Sequence, residues 1–306
     1  MAGRIHIVGS GAIGKALAVC LLNAGKDAVL IRTSVDGEPD KTETIRLNLP
    51  NNGRLFANVT IKTFSSLDMA HGIFIVCSKS FVNEMIARKL ANFALNAPVI
   101  LLQNGLNVER AFVNKGFTQL YRCILMVTSQ FEGESELRFR PVAACPIGIV
   151  AGNQDLSAHI VERLHTSWFP FRFEAQINKF VWQKVIINCI FNSVCPLLET
   201  DNGVFHREPA AMQIADRIIK ECIEVSAHSG IELKIEEVRA AFLLVSRAAD
   251  GQIISTLQDI RNKRPTEIES LNVEVAAIAL SGGLENKVNI TRTLGELTAL
   301  KSILNR

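Results

Sequence analysis

The sequence lacks blocks of like charge, because its basic and acidic residues are mixed along the whole chain. With 33 Lys and Arg against 30 Asp and Glu, the formal net charge is only +3. Proteins that bind nucleic acid or a membrane surface usually carry a basic patch or stripe. We therefore expect neither nucleic acid nor a membrane as a partner.

Paired metal and redox motifs are also absent. The seven cysteines include no Cys-x-x-Cys pair, and most lie in apolar stretches, which favours buried, reduced thiols. The six histidines are scattered without the spacing of zinc ligands. The sequence therefore predicts no metal site and a cytoplasmic location.

Segments that would direct the chain to a membrane are likewise missing. No signal peptide precedes the first predicted strand, which begins at Arg4. No uninterrupted apolar stretch reaches the roughly 20 residues that a bilayer span needs. What remains is an ordinary globular composition, 48% hydrophobic and 21% charged, on 306 residues, enough for one large domain or two ordinary ones.

The two halves of the chain differ in their hydrophobic periodicity. In the first half, short β-branched runs alternate with helical segments, which predicts βαβ units and a parallel sheet covered on both faces. The predicted strands are 4–8, 28–31, 73–77, 99–102, 125–127 and 147–150, and the predicted helices are 12–24 and 83–96. Residues 35–52 are polar and are expected to form a loop. The second half predicts helices at 176–198, 209–229, 235–249, 267–281 and 291–304.

A glycine-rich turn joins the first predicted strand to the first predicted helix. Its six residues are Gly9, Ser10, Gly11, Ala12, Ile13 and Gly14. Glycines at this spacing permit a tight turn, close approach of a pyrophosphate and close packing of the helix on the sheet. We therefore predict an α/β fold in which an N-terminal Rossmann-type dinucleotide-binding domain, 1–174, precedes an all-helical C-terminal domain, 175–306. The alternative is a glycine turn in another kind of α/β protein.

Polar side chains follow three of the predicted strands. Arg32 ends the second strand, where an enzyme that uses NAD would place an acidic residue, and an arginine there pairs with a 2′-phosphate instead. We therefore predict NADPH/NADP+ as the cofactor. Lys79 and Asn104 follow later strands, at the sheet edge where ligands bind, and we predict cofactor contacts for both. The alternatives are surface positions for Arg32 and Lys79 and a simple turn at Asn104-Gly105.

One predicted helix of the second half carries polar residues on an otherwise apolar background. Lys184, Asn188 and Asn192 are four residues apart and share one face. Such side chains are costly to bury without partners, which favours a catalytic or substrate-binding face. The alternative is a structural polar network, above all for Asn192.

These segments, taken in order, resemble ketopantoate reductase (2-dehydropantoate 2-reductase) over nearly the whole chain. The resemblance is carried by the glycine turn, Arg32, Gln103 to Gly105, Lys184 to Asn192, Asn202-Gly203, Ser255 to Asp259 and Thr266 to Glu269. It implies reduction of a small 2-keto acid, ketopantoate, to pantoate by NADPH, a step toward pantothenate and coenzyme A.

The resemblance also implies individual roles. Lys184 would be the general acid, and Glu267 would bind or orient the substrate. Asn188 and Asn202 would line the substrate pocket, and Ser255 would hold the substrate carboxylate. The further predicted substrate contacts are Asn192 and Gln252. A protonated lysine offsets charge that develops on a carbonyl oxygen, so the chemistry of the residues agrees.

Some residues depart from the family pattern. Gln252 stands where the family commonly has an asparagine, Val273 where glycine is frequent, and Ser193 where proline is frequent. These departures keep open the same Lys/Glu chemistry on another small 2-keto or 2-hydroxy acid. A third hypothesis is a catalytically inactive NADPH-binding protein. The helical domain offers surfaces for a homodimer.

Overall fold

The structure is a computed structural model that describes residues 3–67 and 71–306. Within these ranges the chain forms two compact units. The first contains the chain up to Gln103 and Val108–Ile177, and the second contains Asn104–Asn107 and Asn178–Arg306. The expectation that no signal peptide precedes the first strand concerns Met1 and Ala2, which lie outside the described residues.

The described part of the first unit contains eleven strands in one sheet. In chain order they are β1 (Arg4–Val8), β2 (Ala28–Ile31), β3 (Lys41–Asn48), β4 (Arg54–Lys62), β5 (Gly72–Val76), β6 (Val99–Leu101), β7 (Leu120–Cys123), β8 (Val127–Phe131), β9 (Glu136–Pro141), β10 (Cys145–Ala151) and β11 (Phe171–Phe173). Their order across the sheet is β11-β10-β7-β6-β5-β1-β2-β4-β3-β9-β8. The helices of this unit are α1 (Ala12–Asn23), α2 (Asn83–Ala91), α3 (Arg110–Asn114) and α4 (Asp155–Leu164).

The central parallel strands are buried on both faces. Ile5 and Ile7 of β1 join a hydrophobic cluster with α1, whereas Val8 joins a second cluster with α2. His6 is also buried and stacks on Phe74, with ring centroids 4.7 Å apart. Burial lowers the pKa of His6 to about 4, so this histidine is neutral in the folded protein and acts as a core residue.

Two predictions for the first unit were wrong. Within 35–52, where a loop was expected, Lys41–Asn48 forms β3 and pairs antiparallel with β4. Only Ile45 and Leu47 of this strand are buried, and the earlier positions of the same face carry charged Lys41 and Glu43, so the sequence shows little apolar alternation. Residues 125–127 do not form a strand either, because β8 begins at Val127. The sheet is therefore mixed, with a parallel centre and antiparallel extensions.

The second unit is helical. Its helices are α5 (Ile177–Leu198), whose first residue belongs to the first unit, α6 (Val204–Arg207), α7 (Pro209–His228), α8 (Ile235–Ala248), α9 (Ser255–Arg261), α10 (Asn272–Ser281) and α11 (Asn289–Leu304). Phe191 of α5, Phe205 of α6 and Phe242 of α8 form a buried cluster with ring centroids between 4.9 and 5.3 Å apart. This cluster holds α5, which carries the predicted lysine face, against its neighbours.

Helix α5 is long and apolar enough to cross a membrane by length and composition alone. Its apolar sequence is interrupted by Lys184, Asn188 and Asn192, so it is not an uninterrupted apolar stretch. In addition, 72% of its most apolar window is buried inside the protein. A helix that is apolar on most sides is either a core helix or a membrane span, and this burial favours the core helix.

Candidate active site

The glycine turn brings β1 and α1 close together. Gly9 has a φ of +119°, a conformation that residues with a side chain rarely adopt. A Cβ at Gly9 would lie 2.6 Å from the backbone nitrogen of Ser78, at the end of β5. A Cβ at Gly14, inside α1, would overlap the carbonyl oxygen of Gly9. Both positions therefore require glycine for the packing of the fold itself.

Gly11 differs from these two glycines, because a Cβ there would meet no atom within 4 Å. It stands at the N-terminus of α1, where no side chain caps the helix. The first-turn N–H groups, beginning with Ala12 and Ile13, have no partner within the helix and carry its positive dipole end. Open space beside free N–H groups fits a pyrophosphate, and half-buried Ser10 lies in the same turn. The cofactor contacts of this turn stay a prediction.

Arg32 lies directly after β2, where its backbone N–H donates to the carbonyl oxygen of Lys62 at 2.9 Å. Its side chain is only 14% exposed, so it is not an ordinary surface arginine. The guanidinium forms an ion pair with Glu38, with Nη1 and Oε2 2.7 Å apart. Sequence reasoning missed Glu38, because this residue lies within a polar stretch that carries no motif.

A buried amide pair joins the ends of β5 and β6. Gln103 donates to the carbonyl oxygen of Ser78 at 2.8 Å and exchanges hydrogen bonds with the side-chain amide of Asn83 at 2.7 and 2.8 Å. Asn83 also donates to the carbonyl oxygen of Val108 at 2.7 Å. These bonds fix the backbone next to half-buried Lys79, whose cofactor contact stays a prediction. Sequence reasoning missed the role of Asn83, and its position as the first residue of the predicted helix was the signal that could have indicated it.

The first unit also has a cavity of about 530 Å³ that contains none of the predicted cofactor residues. Its lining includes Gly72 and Ile73 at the start of β5, and Pro98 just before β6. These are the amino ends of the strands. Ligands in open α/β sheets bind at the carboxyl ends, so we do not assign the cofactor to this cavity.

Asn104 and Glu267 come together within the second unit. The Asn104 side-chain amide donates to Oε2 of Glu267 at 3.4 Å, a long hydrogen bond. Next to it, Leu106 N–H donates to the carbonyl oxygen of Ser270 at 2.9 Å. Gly105 has a φ of +104°, and a Cβ there would lie 2.5 Å from Ser270. This close packing explains why residues 104–107 group with the C-terminal helices.

Glu267 does not lie in the first turn of a long helix, so the helix predicted from residue 267 was wrong at its start. A 3-10 turn occupies Ile268–Ser270, and α10 begins only at Asn272. Glu267 precedes this turn and is half-buried. Complementing a helix dipole therefore does not explain the carboxylate, which favours the alternative of a functional role.

The predicted polar face of α5 has two environments. Lys184 and Asn188 are half-buried, whereas Asn192 is 4% exposed. The Asn192 amide donates to the carbonyl oxygen of Asn188 at 2.9 Å and accepts from the Thr256 hydroxyl at 2.7 Å. Because both ends of this amide are used inside the protein, we expect Asn192 to join α5 to α9 and not to contact a substrate directly.

Thr256→Val is expected to destabilise the protein by about 1–3 kcal/mol, because it leaves the buried Asn192 oxygen without its donor at nearly unchanged volume. Urea unfolding of the variant and the native protein measures this difference as a lower midpoint. If the polar link is structural, the KM of the folded variant for its keto acid stays unchanged. An unchanged midpoint with a raised KM would contradict this interpretation.

Asn202 is held by its backbone and leaves its side-chain oxygen free for a ligand. Its N–H donates to the carbonyl oxygen of Gln252 at 3.0 Å, and its own carbonyl oxygen accepts from the Ser246 hydroxyl at 2.7 Å. The side-chain Oδ1 is buried and has no hydrogen-bond partner among the described residues. A buried acceptor without a partner is costly, which is typical of a position that a ligand completes.

The loop around Asn202 is held by hydrogen bonds to the Asp201 carboxylate. The Arg207 hydrogen bond, together with those from the N–H groups of Gly203 and Gly251, lowers the pKa of Asp201 to about 2. The carboxylate is therefore ionised at neutral pH. A Cβ at Gly203 would overlap the ends of the Asp250 and Arg207 side chains, so a larger residue there would displace this ion pair. The turn at 202–203 is thus part of a charged network and not a simple surface turn.

The remaining predicted substrate residues lie near α9. Ser255 is its first residue and is exposed. Gln252 is exposed as well, and its side-chain amide makes only a long hydrogen bond, 3.5 Å, to the carbonyl oxygen of Ala248. Both side chains are accessible to a ligand, and their substrate contacts stay predictions.

A glycine turn at the end of β1, a parallel sheet centre and a helical second unit define a dinucleotide-binding α/β enzyme class. The chain belongs to the ketopantoate reductase family. The model for "Ketopantoate reductase PanE/ApbA" matches residues 5–152, and the model for its C-terminal part matches residues 176–298. The predicted family and the predicted α/β class with a helical C-terminal domain are confirmed.

Curated relatives cover almost the whole chain at low identity. The 2-dehydropantoate 2-reductase of Pyrococcus abyssi is 22% identical over 94% of this chain and 94% of its own length. That of Halobacterium salinarum is 25% identical over 97% of this chain and 98% of its own length. The chain is therefore an NADP-dependent oxidoreductase with NADPH/NADP+ as its cofactor, which disfavours the hypothesis of an inactive binding protein.

Solved structures share the fold over the full length. A D-mandelate dehydrogenase with NADH and anilino(oxo)acetate has a TM-score of 0.84 at 21% identity, covering 99% of each chain. A dimeric ketopantoate reductase from Staphylococcus aureus has a TM-score of 0.81 at 16% identity, covering 99% of this chain and 100% of its own. At such identities these likenesses show the fold alone.

Proposed function

We propose that this chain reduces 2-dehydropantoate (ketopantoate) to pantoate with NADPH, a step toward pantothenate and coenzyme A. The observation that carries the proposal is the buried, unpartnered Oδ1 of Asn202. Ketopantoate has a hydroxyl group on its tail in addition to its ketone and carboxylate. This hydroxyl donates the hydrogen bond that Asn202 lacks.

Reduction of a ketone places developing negative charge on the carbonyl oxygen. When bound, the nicotinamide cofactor supplies the hydride. Lys184, half-buried on α5, offsets the charge as an ammonium group and gives its proton to the oxygen. Glu267, which accepts from Asn104, orients the substrate or keeps Lys184 protonated. Ser255 and Asn188 supply donors for the substrate carboxylate and pocket.

A second candidate is the same chemistry on another small 2-keto or 2-hydroxy acid. It is favoured by Gln252, which is exposed and weakly held where the family commonly has asparagine. The backbone carbonyl oxygen of Gln252 accepts the Asn202 N–H, so Gln252 is next to Asn202 and its longer side chain brings a different amide position to that neighbourhood. The two candidates differ in whether the substrate tail must carry a hydroxyl group.

The proposal includes a homodimer. The S. aureus relative is dimeric by its own description. In this chain α11 carries large apolar side chains that are exposed, namely Leu297, Leu300, Ile303 and Leu304. Exposed apolar groups along one helix support a surface that a second copy covers.

Asn202→Ala is the sharpest test of the substrate. We expect the variant to lose roughly tenfold in kcat/KM for ketopantoate, as for one lost hydrogen bond to a substrate hydroxyl. With 3,3-dimethyl-2-oxobutanoate, the same keto acid without that hydroxyl, the variant and the native protein should differ little. Loss of NADPH absorbance measures both reactions, with NADH in a parallel series.

The native protein is its own control in this comparison. Two results together support the proposal. The native protein reduces ketopantoate, and Asn202→Ala lowers kcat/KM for ketopantoate but not for the keto acid without the hydroxyl group. Faster turnover of a 2-keto acid without a tail hydroxyl, such as phenylglyoxylate, would support the second candidate. If NADPH binds but no 2-keto acid is reduced, both candidates are wrong.

A further inference from the structure

The guanidinium of Arg32 is already occupied by an acidic residue of this chain. Nη1 lies 2.7 Å from Oε2 of Glu38, and Nη2 donates to the carbonyl oxygen of Pro39 at 3.4 Å. Nε is buried and has no hydrogen-bond partner among the described residues. The groups that would bind a 2′-phosphate are therefore partly used and partly unsatisfied. Glu38 is 54% exposed in its side chain, so it is free to move away.

The loop that carries Glu38 is held by the 3-10 turn at Phe64–Ser66 and by α2. Asp36 accepts from the Ser65 N–H at 2.9 Å, and Gly37 N–H donates to the Ser65 hydroxyl at 3.0 Å. Lys89 of α2 forms an ion pair with Asp36, and hydrogen bonds with Lys89 and Ser65 hold the pKa of that carboxyl well below its usual range. The backbone at Glu38 is therefore positioned by its neighbours, and its pairing with Arg32 is not a chance surface contact.

The neighbouring carboxylate, Asp40, is neutralised by residues other than Arg32. Asp40 pairs with Lys62 at 3.0 Å and accepts from the Ser66 hydroxyl at 2.7 Å. Glu38, by contrast, forms its ion pair with Arg32. Of the two carboxylates near this arginine, Glu38 is thus the one that competes directly for its hydrogen-bond donors.

We propose that Glu38 sets the choice between NADPH and NADH. Its carboxylate occupies the donors of Arg32 that the 2′-phosphate of NADPH needs, and it accepts a hydrogen bond from the ribose hydroxyl that NADH presents in the same place. Binding of NADPH displaces the Glu38 side chain, whereas binding of NADH retains it. Glu38 therefore narrows the preference for NADPH that Arg32 alone would give.

The test measures binding of both nucleotides without a keto acid, by the fluorescence of the reduced nicotinamide. In Glu38→Gln, which keeps the shape and removes the charge, we expect the Kd for NADPH to fall about tenfold while that for NADH rises or stays. Glu162→Gln, an exposed α4 residue, removes the same charge at another place and should leave the ratio of the two constants unchanged.

A double-mutant comparison shows whether the effect passes through Arg32. In an Arg32→Gln background, Glu38→Gln should no longer tighten NADPH binding, so its effect on the ratio of the two constants should shrink to the part that comes from NADH binding. A ratio within twofold of the native value in Glu38→Gln would overturn the proposal, and so would an undiminished effect in the Arg32→Gln background. Because no keto acid is present, the result does not depend on which substrate the enzyme reduces.

Discussion

Lys184→Ala is expected to reduce kcat/KM for the keto acid by about 10²–10⁴-fold, the usual contribution of a general acid. The variant loses both the positive charge and the proton that the carbonyl oxygen needs. Steady-state loss of NADPH absorbance measures the effect. The Kd for NADPH should remain unchanged, since Lys184 is not among the predicted cofactor contacts.

Two further variants separate proton transfer from charge. Lys184→Arg keeps the charge but cannot give up a proton at neutral pH, so we expect it to stay strongly impaired. Lys179→Ala removes an exposed lysine from the same helix and serves as the matched control, with near-native activity. Native turnover in Lys184→Ala would contradict the proposed mechanism, whatever the substrate.

Gly14→Ala is expected to lower the stability of the fold, whereas Gly11→Ala is expected to weaken NADPH binding. At Gly14 a Cβ overlaps the carbonyl oxygen of Gly9, so the turn must shift and the free energy of unfolding falls by about 1–3 kcal/mol or more. At Gly11 a Cβ meets no atom within 4 Å, so the fold is unaffected while the methyl group enters the predicted pyrophosphate space. Thermal unfolding measures the first effect and NADPH titration the second.

Each glycine variant serves as the control for the other, because one should change stability and the other NADPH affinity. Gly11→Ala should unfold at the native temperature and bind NADPH at least tenfold more weakly, as for a loss of about 1.4 kcal/mol. Gly25→Ala, at a surface turn with a φ of +70° and open space, tests the cost of positive φ without ligand contact. Native NADPH affinity in Gly11→Ala would place the pyrophosphate elsewhere.

The centre of the first unit could be predicted from sequence because its strands are continuous apolar runs. Residues 4–8 and 28–31 form β1 and β2 as expected. The β3–β4 ribbon could not be predicted in the same way, because β3 buries only Ile45 and Leu47 and depends on its partner strand for its conformation. Local pattern therefore identified the strands that bury both faces and missed those stabilised chiefly by pairing.

For the candidate site, the sequence predicted where residues lie, as for Lys184 on its apolar helix, while its role stays a prediction. The contacts between these residues were not predictable. Glu38 lies in a polar stretch without a motif, and only the fold brings it to Arg32. The hydrogen bond of Asn192 to Thr256 likewise joins residues that are 64 positions apart in sequence. Pairing between distant segments is set by tertiary packing, which no local pattern records.

The four residues 104–107 restrict how the chain can be divided in chimaeras with its relatives. They are encoded in the middle of the nucleotide-binding half, yet they pack on Ser270 and donate to Glu267 and Glu274 in the C-terminal unit. The second unit is therefore not one continuous stretch of the chain. A chimaera that takes only the second unit from a relative must take residues 104–107 as well as the C-terminal helices, and a single crossover cannot do this without also exchanging residues 108–177.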